Sequence, residues 1–227
     1  MKKLLYVPII HMSADMGSIS VSIDKKGFAL CGEENWKRHK ETVASLWDSI
    51  SNYLDALEAN GLKIYQDGLV ADGELGMKII EDGVSKGSKN YEIISRLIQR
   101  GAKLIKTEDL SIIMKEYNHV IKMAQAKSFK ERLMATLKYK FKKGKLLKER
   151  DEFIARRINE TLHDGETGII FIGAQHDIIP RLSRDIEVLE LKEREELQRY
   201  QRTLLYARRK KTQFEELAKY LSSPIRV

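Results

Sequence analysis

The stretch Gly165-Glu-Thr-Gly-Ile-Ile-Phe-Ile-Gly-Ala-Gln-His-Asp177 decides the fold class of this 227-residue chain. Its Ile169–Ile172 portion is apolar at every position, which is typical of a strand buried on both faces of a parallel sheet. Gly173 ends the apolar run, and His176 and Asp177 follow where the chain must leave the sheet. Ligands of open α/β sheets bind outside the carboxyl ends of the strands. The His-Asp pair is therefore a candidate site.

Other apolar segments of the chain are predicted to be further strands of the same sheet. The candidates are Leu4–Ile10, a segment that begins at Leu62 and ends either at Tyr65 or at Val70, Ala102–Lys106 and Ile186–Leu191. Helical patterns and glycines separate them, so strand, helix, glycine and strand repeat along the chain. This order favours parallel strands joined by crossover helices.

The helical predictions rest on apolar residues spaced three and four apart. One long amphipathic helix begins at Trp36 and ends at Asn60-Gly61, and another follows Ser88 as far as Arg100. The segment Asp72–Gly76 is predicted to be a turn-rich loop. Residues 110–162 are almost continuously helical in pattern, with a break predicted near Gly144.

These elements together predict an α/β fold: a mainly parallel sheet flanked by helices, with a helical insertion and a C-terminal helical extension. The core domain is predicted to span residues 1–191, with the insertion near 110–148. Residues 192–227 form the extension, which is predicted to contain two charged amphipathic helices.

Composition narrows the class of protein. No apolar run approaches the roughly 20 residues that a membrane-spanning helix needs, so we expect no membrane partner. The basic, apolar start could suggest a secretory signal, but it contains Pro8 and lacks a cleavage pattern, which favours a first buried strand. The single cysteine, Cys31, excludes an internal disulfide and fits a cytoplasmic location.

The formal charge of +8 is concentrated in two basic runs, Lys138–Lys148 and Arg208–Lys211. Basic residues interleaved with aromatic ones can neutralise the phosphates of nucleic acid. Alternatively, the lysines form a solvated helix face whose long aliphatic stems cover apolar surface. The acidic residues that follow at Glu149, Asp151 and Glu152 favour this second interpretation.

Candidate functional residues follow several predicted strands directly. They are His11, Asp67, Glu108 or its neighbour Asp109, and the pair His176 and Asp177. In a parallel sheet all these strand ends lie at one edge. Imidazole and carboxylate groups together are ordinary ligands of zinc, manganese or iron, and a bound divalent ion can activate water. The same groups without a metal could act as general acid and base, or could simply cap helices and turns.

Other residues allow two interpretations, and the absence of some motifs argues against particular kinds of site. Arg150 and Asp151 could reach the same edge of the sheet or could form an exposed ion-pairing turn. The chain contains no Gly-x-Gly-x-x-Gly, P-loop or Gly-x-Ser-x-Gly sequence, which argues against a dinucleotide site, a P-loop and a nucleophile elbow. Cys31 is predicted to be a packing residue.

Two segments near the end of the core carry a family resemblance. Arg150-Asp-Glu-Phe-Ile-Ala-Arg-Arg-Ile158 followed by Ile170-Phe-Ile-Gly-Ala-Gln-His176 resembles the closing part of the superfamily that includes TraB/Tiki, ChaN-like and erythromycin-esterase-like proteins. There an Arg-Asp/Asn-x-x-Met-Ala helix precedes a strand ending in Gly-x-x-His. Val7-Pro-Ile-Ile-His11 is similar to the opening motif, and Arg100–Asp109 is similar to the middle strand with its acidic end.

The resemblance implies an α/β core with a helical insertion and with histidines and acids gathered in one pocket. Members are associated with metal-dependent proteolysis, ester hydrolysis or haem binding. The hypothesis that follows is a metal-dependent hydrolase of a small-molecule or peptide substrate. His11 and His176 would be the metal ligands, Asp67 or Glu108 would complete the shell or act as base, and Asp177 would orient His176.

Departures from the family pattern motivate an alternative hypothesis. Pro8 stands where the opening motif has glycine, and Gln66-Asp67 stands where a glutamate is usual. The alternative is a non-catalytic ligand-binding or nucleic-acid-binding regulatory protein that uses the basic runs. The charged terminal helices also suggest self-association into a homo-oligomer.

Overall fold

The structure, a computed structural model, describes residues 1–10, 20–124 and 128–226. Within these ranges, five parallel strands form one sheet. They are β1 (Lys2–Ile9), β2 (Lys63–Gln66), β3 (Lys103–Ile105), β4 (Thr167–Gly173) and β5 (Ile186–Glu190). Their spatial order is β3-β2-β4-β1-β5, and every pairing is parallel. The expected α/β class with a parallel sheet is confirmed.

Helices lie between and after the strands in the described part of the chain. They are α1 (Ser20–Cys31), α2 (Glu33–Asp55), α3 (Gly73–Ser85), α4 (Lys89–Gln99), α5 (Leu110–Ala124), α6 (Phe129–Thr161), α7 (Arg194–Leu204) and α8 (Lys211–Ser222). A short 3-10 turn at Ile179–Arg181 carries Pro180 in its first turn.

Strand β4 lies at the centre of the sheet, between β2 and β1. Its residues Ile169–Ile172 are all fully buried, because helices cover both faces. Ile169 and Phe171 belong to one apolar cluster, while Ile170 and Ile172 belong to the other. This alternation is what a two-sided strand requires, and it confirms the interpretation of the apolar run.

The two faces of the sheet are covered unequally. Helices α2, α4, α7 and α8 supply most of the buried side chains on one face. On the other face, the C-terminal half of α6 packs Ile154, Ala155 and Ile158 against Tyr6 and Tyr65 of the sheet. The rotation of α6 about its axis is therefore fixed just beyond Arg150 and Asp151.

The terminal helices are integrated into the larger apolar cluster. Phe214, Leu217 and Leu221 of α8 are buried, and α7 adds Leu197 and Tyr200. A chain ended near Lys192 would lose these contacts and expose apolar core. Truncation is therefore a poor test of self-association, which stays a prediction.

Two helix boundaries differ from those that the sequence predicted. The segment Asp72–Gly76, expected to be a loop, contains the start of α3. A glycine further along α3 allows close packing, since a Cβ at Gly83 would lie 2.3 Å from Cγ of Tyr91. The break expected near Gly144 is absent from the described course of α6, which begins after a capping box formed by Ser128 and Glu131.

Cys31 is buried, in agreement with a packing role. No helix in the described ranges combines the length and the apolar character needed to cross a bilayer.

A matched pair of substitutions tests how α3 packs. Alanine favours a helix over glycine by about 1 kcal/mol, so Gly144→Ala, whose new Cβ meets nothing within 4 Å, should raise the free energy of unfolding. Gly83→Ala should lower it by about 1–3 kcal/mol, since the new Cβ overlaps the Tyr91 ring. Urea denaturation measures both, and a gain in stability at Gly83 would contradict the packing described here.

Candidate functional site

Side chains from three strand ends and from α6 meet at the carboxyl edge of the sheet. Asp67 follows β2, Glu108 follows β3, and His176 follows β4. The structure brings these three predicted residues into one cluster, in which Arg150 contacts both Asp67 and Glu108. His11, another predicted site residue, lies outside the described residues.

Asp67 continues the hydrogen-bonding ladder between β2 and β4. Its backbone N–H donates to the carbonyl of Phe171 at 2.9 Å, which turns the carboxylate towards the end of β4. There the N–H of Gly173 donates to Asp67 Oδ2 at 3.1 Å. A Cβ at Gly173 would come within 3.3 Å of the same oxygen, so a glycine permits this close approach.

Glu108 is held by hydrogen bonds around the end of β3. The N–H of Gln66 donates to Oγ1 of Thr107 at 3.1 Å, and the N–H of Glu108 donates to the carbonyl of Leu69 at 2.9 Å. These bonds tie the two neighbouring strand ends together. The side chain of Glu108 is fully buried as a result.

His176 lies in the turn after β4, where its N–H donates to the carbonyl of Gly173 at 3.0 Å. Its ring Nδ1 donates to Asp151 Oδ1 at 2.6 Å, and the other oxygen of Asp151 accepts the N–H of Asp177 at 3.0 Å. Asp151 therefore fixes both the ring and the turn. The ring's Nε2 lies 3.3 Å from Asp67 Oδ2, a much looser contact.

Arg150 joins the acidic residues of the cluster. Its Nε and Nη2 donate to Oε1 of Glu108 at 3.0 and 2.6 Å, and Nη2 also donates to Asp67. Nη1 donates to Glu116 of α5 at 3.1 Å, and the other oxygen of Glu116 accepts the hydroxyl of Tyr139 at 3.0 Å. The guanidinium is thus a planar donor shared by three carboxylates.

Asp177 does not have the contact predicted for it. Its Oδ1 accepts from Nη1 of Arg194 at 2.8 Å, and the residue that orients the ring of His176 is Asp151. The reason is local geometry, since the turn after β4 directs the ring towards α6 and the next side chain towards α7. Asp177 contributes to the cluster through its backbone N–H.

The surroundings shift the pKa of His176 and of Asp67 in opposite directions. Burial disfavours the imidazolium, but the hydrogen bonds to Asp151 and Asp67 outweigh burial and raise the pKa of His176 to about 9. Burial also disfavours the carboxylate of Asp67, yet the hydrogen bond from His176 and the charges of His176 and Arg150 hold its pKa far below the usual range. At neutral pH these two groups form an ion pair.

The pKa of Glu108 is shifted in the opposite direction to that of Asp67. Burial raises the pKa of its carboxyl to about 7, against the hydrogen bond and charge of Arg150, and the charge of Asp67 adds to the rise. Its Oε2 is buried without a hydrogen-bond partner among the described residues. An unpartnered carboxyl oxygen with a pKa near neutrality is suited to proton transfer.

Of the two histidines predicted to bind a metal ion, the structure describes His176. Within the described part of the chain, no three His, Cys, Asp or Glu side chains are arranged to hold a metal ion. Both oxygens of Asp67 are engaged by Arg150, Gly173 and His176, and the carboxylate of Asp177 pairs with Arg194. Because His11 lies outside the described residues, the metal-dependent hypothesis stays a prediction.

Comparison of the chain with protein-family models, with curated proteins and with solved structures finds no significant match. The resemblance to the TraB/Tiki, ChaN-like and erythromycin-esterase-like superfamily therefore stays a prediction.

Part of the cluster was not predicted from the strand ends. Arg150 and Asp151, whose position was left open, reach the edge of the sheet and make its strongest contacts. Their signal was their place in the Arg-Asp motif ahead of β4. Glu116 and Tyr139 carried no signal, because they lie within helices and away from any strand end.

The pH dependence of stability should reveal the shifted carboxyl. The folded pKa of Glu108 is about 7 against 4.5 for the free group, so the folded state binds the extra proton and loses stability as pH rises through this window. Glu108→Gln removes that loss. The free energy of unfolding of this variant minus that of the wild type should grow by about 3 kcal/mol between pH 4.5 and 7 and then level off.

The variant His176→Gln provides the comparison, because His176 affects stability over a different pH range from Glu108. The raised pKa of His176 stabilises the fold fully below about pH 6.5, and this contribution is lost as pH rises through about 9. The advantage of wild type over this variant should therefore shrink above pH 6.5. Denaturation series measure both, and a pH-independent difference for Glu108→Gln would contradict the described environment.

Proposed function

We propose that the strand-end cluster is the active site of a hydrolase that cleaves an ester or amide bond in a small or peptide-like substrate. The observation that carries the proposal is the buried carboxyl of Glu108, with its pKa near 7 and an oxygen that lacks a partner in the described cluster. Its position at the carboxyl edge of a parallel sheet, where ligands of this class of fold bind, supports the proposal further.

The proposed reaction needs one base and one acid. Glu108 takes a proton from a water molecule, and the water oxygen attacks the carbonyl carbon of the substrate. His176, protonated at neutral pH, donates the Nε2 proton to the leaving oxygen or nitrogen as the carbon–heteroatom bond breaks. The products are an acid and an alcohol or amine, and exchange with solvent returns the proton from Glu108 to His176.

The remaining groups hold this pair in place. Asp151 fixes the ring of His176 through the 2.6 Å contact at Nδ1, which leaves Nε2 with the longer 3.3 Å contact to Asp67. Arg150 and Asp67 place opposite charges beside the reacting groups without reorganisation, which is how preorganised sites lower barriers. Both residues are partly exposed, with 13% and 14% of their side chains accessible.

Substitutions in the cluster should separate catalysis from stability. In hydrolysis of a panel of chromogenic esters and fluorogenic peptides, Glu108→Gln and His176→Gln should each reduce kcat by about 10²–10⁴-fold. Asp151→Asn should reduce it as well, since the ring loses its orienting carboxylate. Asp177→Asn should have little effect, because its carboxylate faces Arg194.

Removal of metal ions with a chelator distinguishes the acid–base proposal from the metal-dependent hypothesis. The acid–base proposal expects hydrolysis to survive dialysis against a chelator. Loss of activity that zinc, manganese or iron restores, together with metal uptake that His176→Ala abolishes, would support the metal-dependent hypothesis instead. Equal loss in Asp177→Asn and Asp151→Asn would contradict the assignment of Asp151.

A non-catalytic nucleic-acid-binding protein is the second candidate. The observation in its favour is the exposure of four lysines on α6, namely Lys142, Lys143, Lys145 and Lys148. It predicts binding to DNA or RNA that weakens steeply with salt. Ion pairs with Glu149 and Glu152 neutralise part of this surface, which favours the solvated-face interpretation.

A further inference from the structure

A basic cleft lies between α5 and α6, beside the proposed active site. It has a volume of about 420 Å³ and is lined by Lys115, Asn118, Lys142, Lys145, Leu146 and Glu149. This volume lies within the range of about 300–1,000 Å³ that is usual for small-ligand sites. The cleft is separate from the contacts of His176 and Asp67.

The charges that line the cleft are unbalanced. Glu149 lies 3.8 Å from Nζ of Lys115 and 4.0 Å from Nζ of Lys145, and it is the one acidic residue in the described lining. Lys142 forms no ion pair within the described part of the chain. Three ammonium groups facing one carboxylate leave two positive charges in excess, and Asn118 adds a neutral amide donor.

The excess positive charge of the cleft favours an anionic ligand. A phosphate monoester carries about −1.5 to −2 at neutral pH and presents three acceptor oxygens. Its charge therefore matches the excess in the cleft, and lysine ammonium groups bind phosphate as point charges. A neutral or cationic ligand would leave the lysines without compensation.

The cleft is also connected to the proposed active site through consecutive residues. Lys115 precedes Glu116, which accepts from Arg150, and Glu149 precedes Arg150 itself. With a rise of 1.5 Å per residue, Lys145 lies about 8 Å and Lys142 about 12 Å from Arg150 along the axis of α6. Both lysines therefore lie on the same helix as the guanidinium that binds Asp67 and Glu108.

We propose that the cleft between α5 and α6 binds a phosphate group of the substrate while the bond that is hydrolysed lies at the strand-end cluster, the cleft lysines being about 8–12 Å from Arg150 along α6. This inference rests on the proposed hydrolase function and adds the substrate class, a phosphorylated ester or amide. The phosphate serves as a handle and is not itself cleaved. The same chemistry is offered by free phosphate monoesters and by the phosphates of a nucleic-acid strand.

Calorimetric titration of the full-length protein with phenyl phosphate tests the cleft directly. The double variant Lys142→Gln/Lys145→Gln should weaken binding by about tenfold or more, because two charge-assisted contacts are lost. Lys25→Gln/Lys26→Gln is the matched control, since it removes the same charge from exposed positions on α1. It should bind as the wild type does.

Two results would overturn the proposal: no binding of phenyl phosphate by the wild type at millimolar concentration, or equal weakening in both double variants. A third arm uses a single-stranded oligonucleotide. Binding of the oligonucleotide alone, with a steep dependence on salt, would assign the lysines to nucleic acid and would also overturn the proposal.

Binding and kinetic measurements on the variants distinguish a failure of this inference from a failure of the hydrolase proposal. His176→Gln should lose hydrolysis while it keeps the affinity for phenyl phosphate, because the ring does not line the cleft. In an active wild type, the cleft double variant should raise KM for phosphorylated esters and leave kcat for uncharged esters unchanged. Unchanged KM for both kinds of ester would contradict the substrate class but not the catalytic cluster.

Discussion

The contacts of two consecutive residues of α6 organise the carboxyl edge of the sheet. Arg150 donates to Asp67 and Glu108, while Asp151 binds the ring of His176 and the turn that carries it. The apolar side chains that follow on α6 fix its rotation against the sheet. Because these charges are largely buried, removing one partner would leave another uncompensated. The geometry of all three strand ends therefore depends on this helix.

Among the described residues, the cluster contains more acidic than basic groups, and burial of one of the acids underlies its proposed chemistry. Its carboxyl groups are Asp67, Glu108, Glu116 and Asp151, and its cations are Arg150 and His176. Like charges in a buried place cannot all ionise without cost. Glu108 is fully buried, and burial raises the pKa of its carboxyl to about 7. A structural ion cluster thereby acquires a group that can exchange a proton near neutral pH.

The sequence predicted the sheet and the place of the site better than the contacts within it. The apolar run Ile169–Ile172 identified the central strand, because only a strand covered on both faces lacks polar positions. Helix α3 was missed, since its glycines resemble a turn until the ring of Tyr91 is seen to pack on Gly83. The predicted role of Asp177 belongs to Asp151, which is 25 residues from His176 in the chain. Such long-range pairings depend on helix rotation, which residue spacing does not specify.

The charge state of His176 is the most direct test of this account. Nuclear magnetic resonance of the ring nitrogens, assigned with a His176→Gln sample, should show an imidazolium with two protonated nitrogens at neutral pH. Its pKa should be about 9, raised by the carboxylates of Asp151 and Asp67 above the opposing effect of burial. A neutral ring at pH 7, with an ordinary pKa near 6.5, would contradict the described clamp and the proposed acid–base pair.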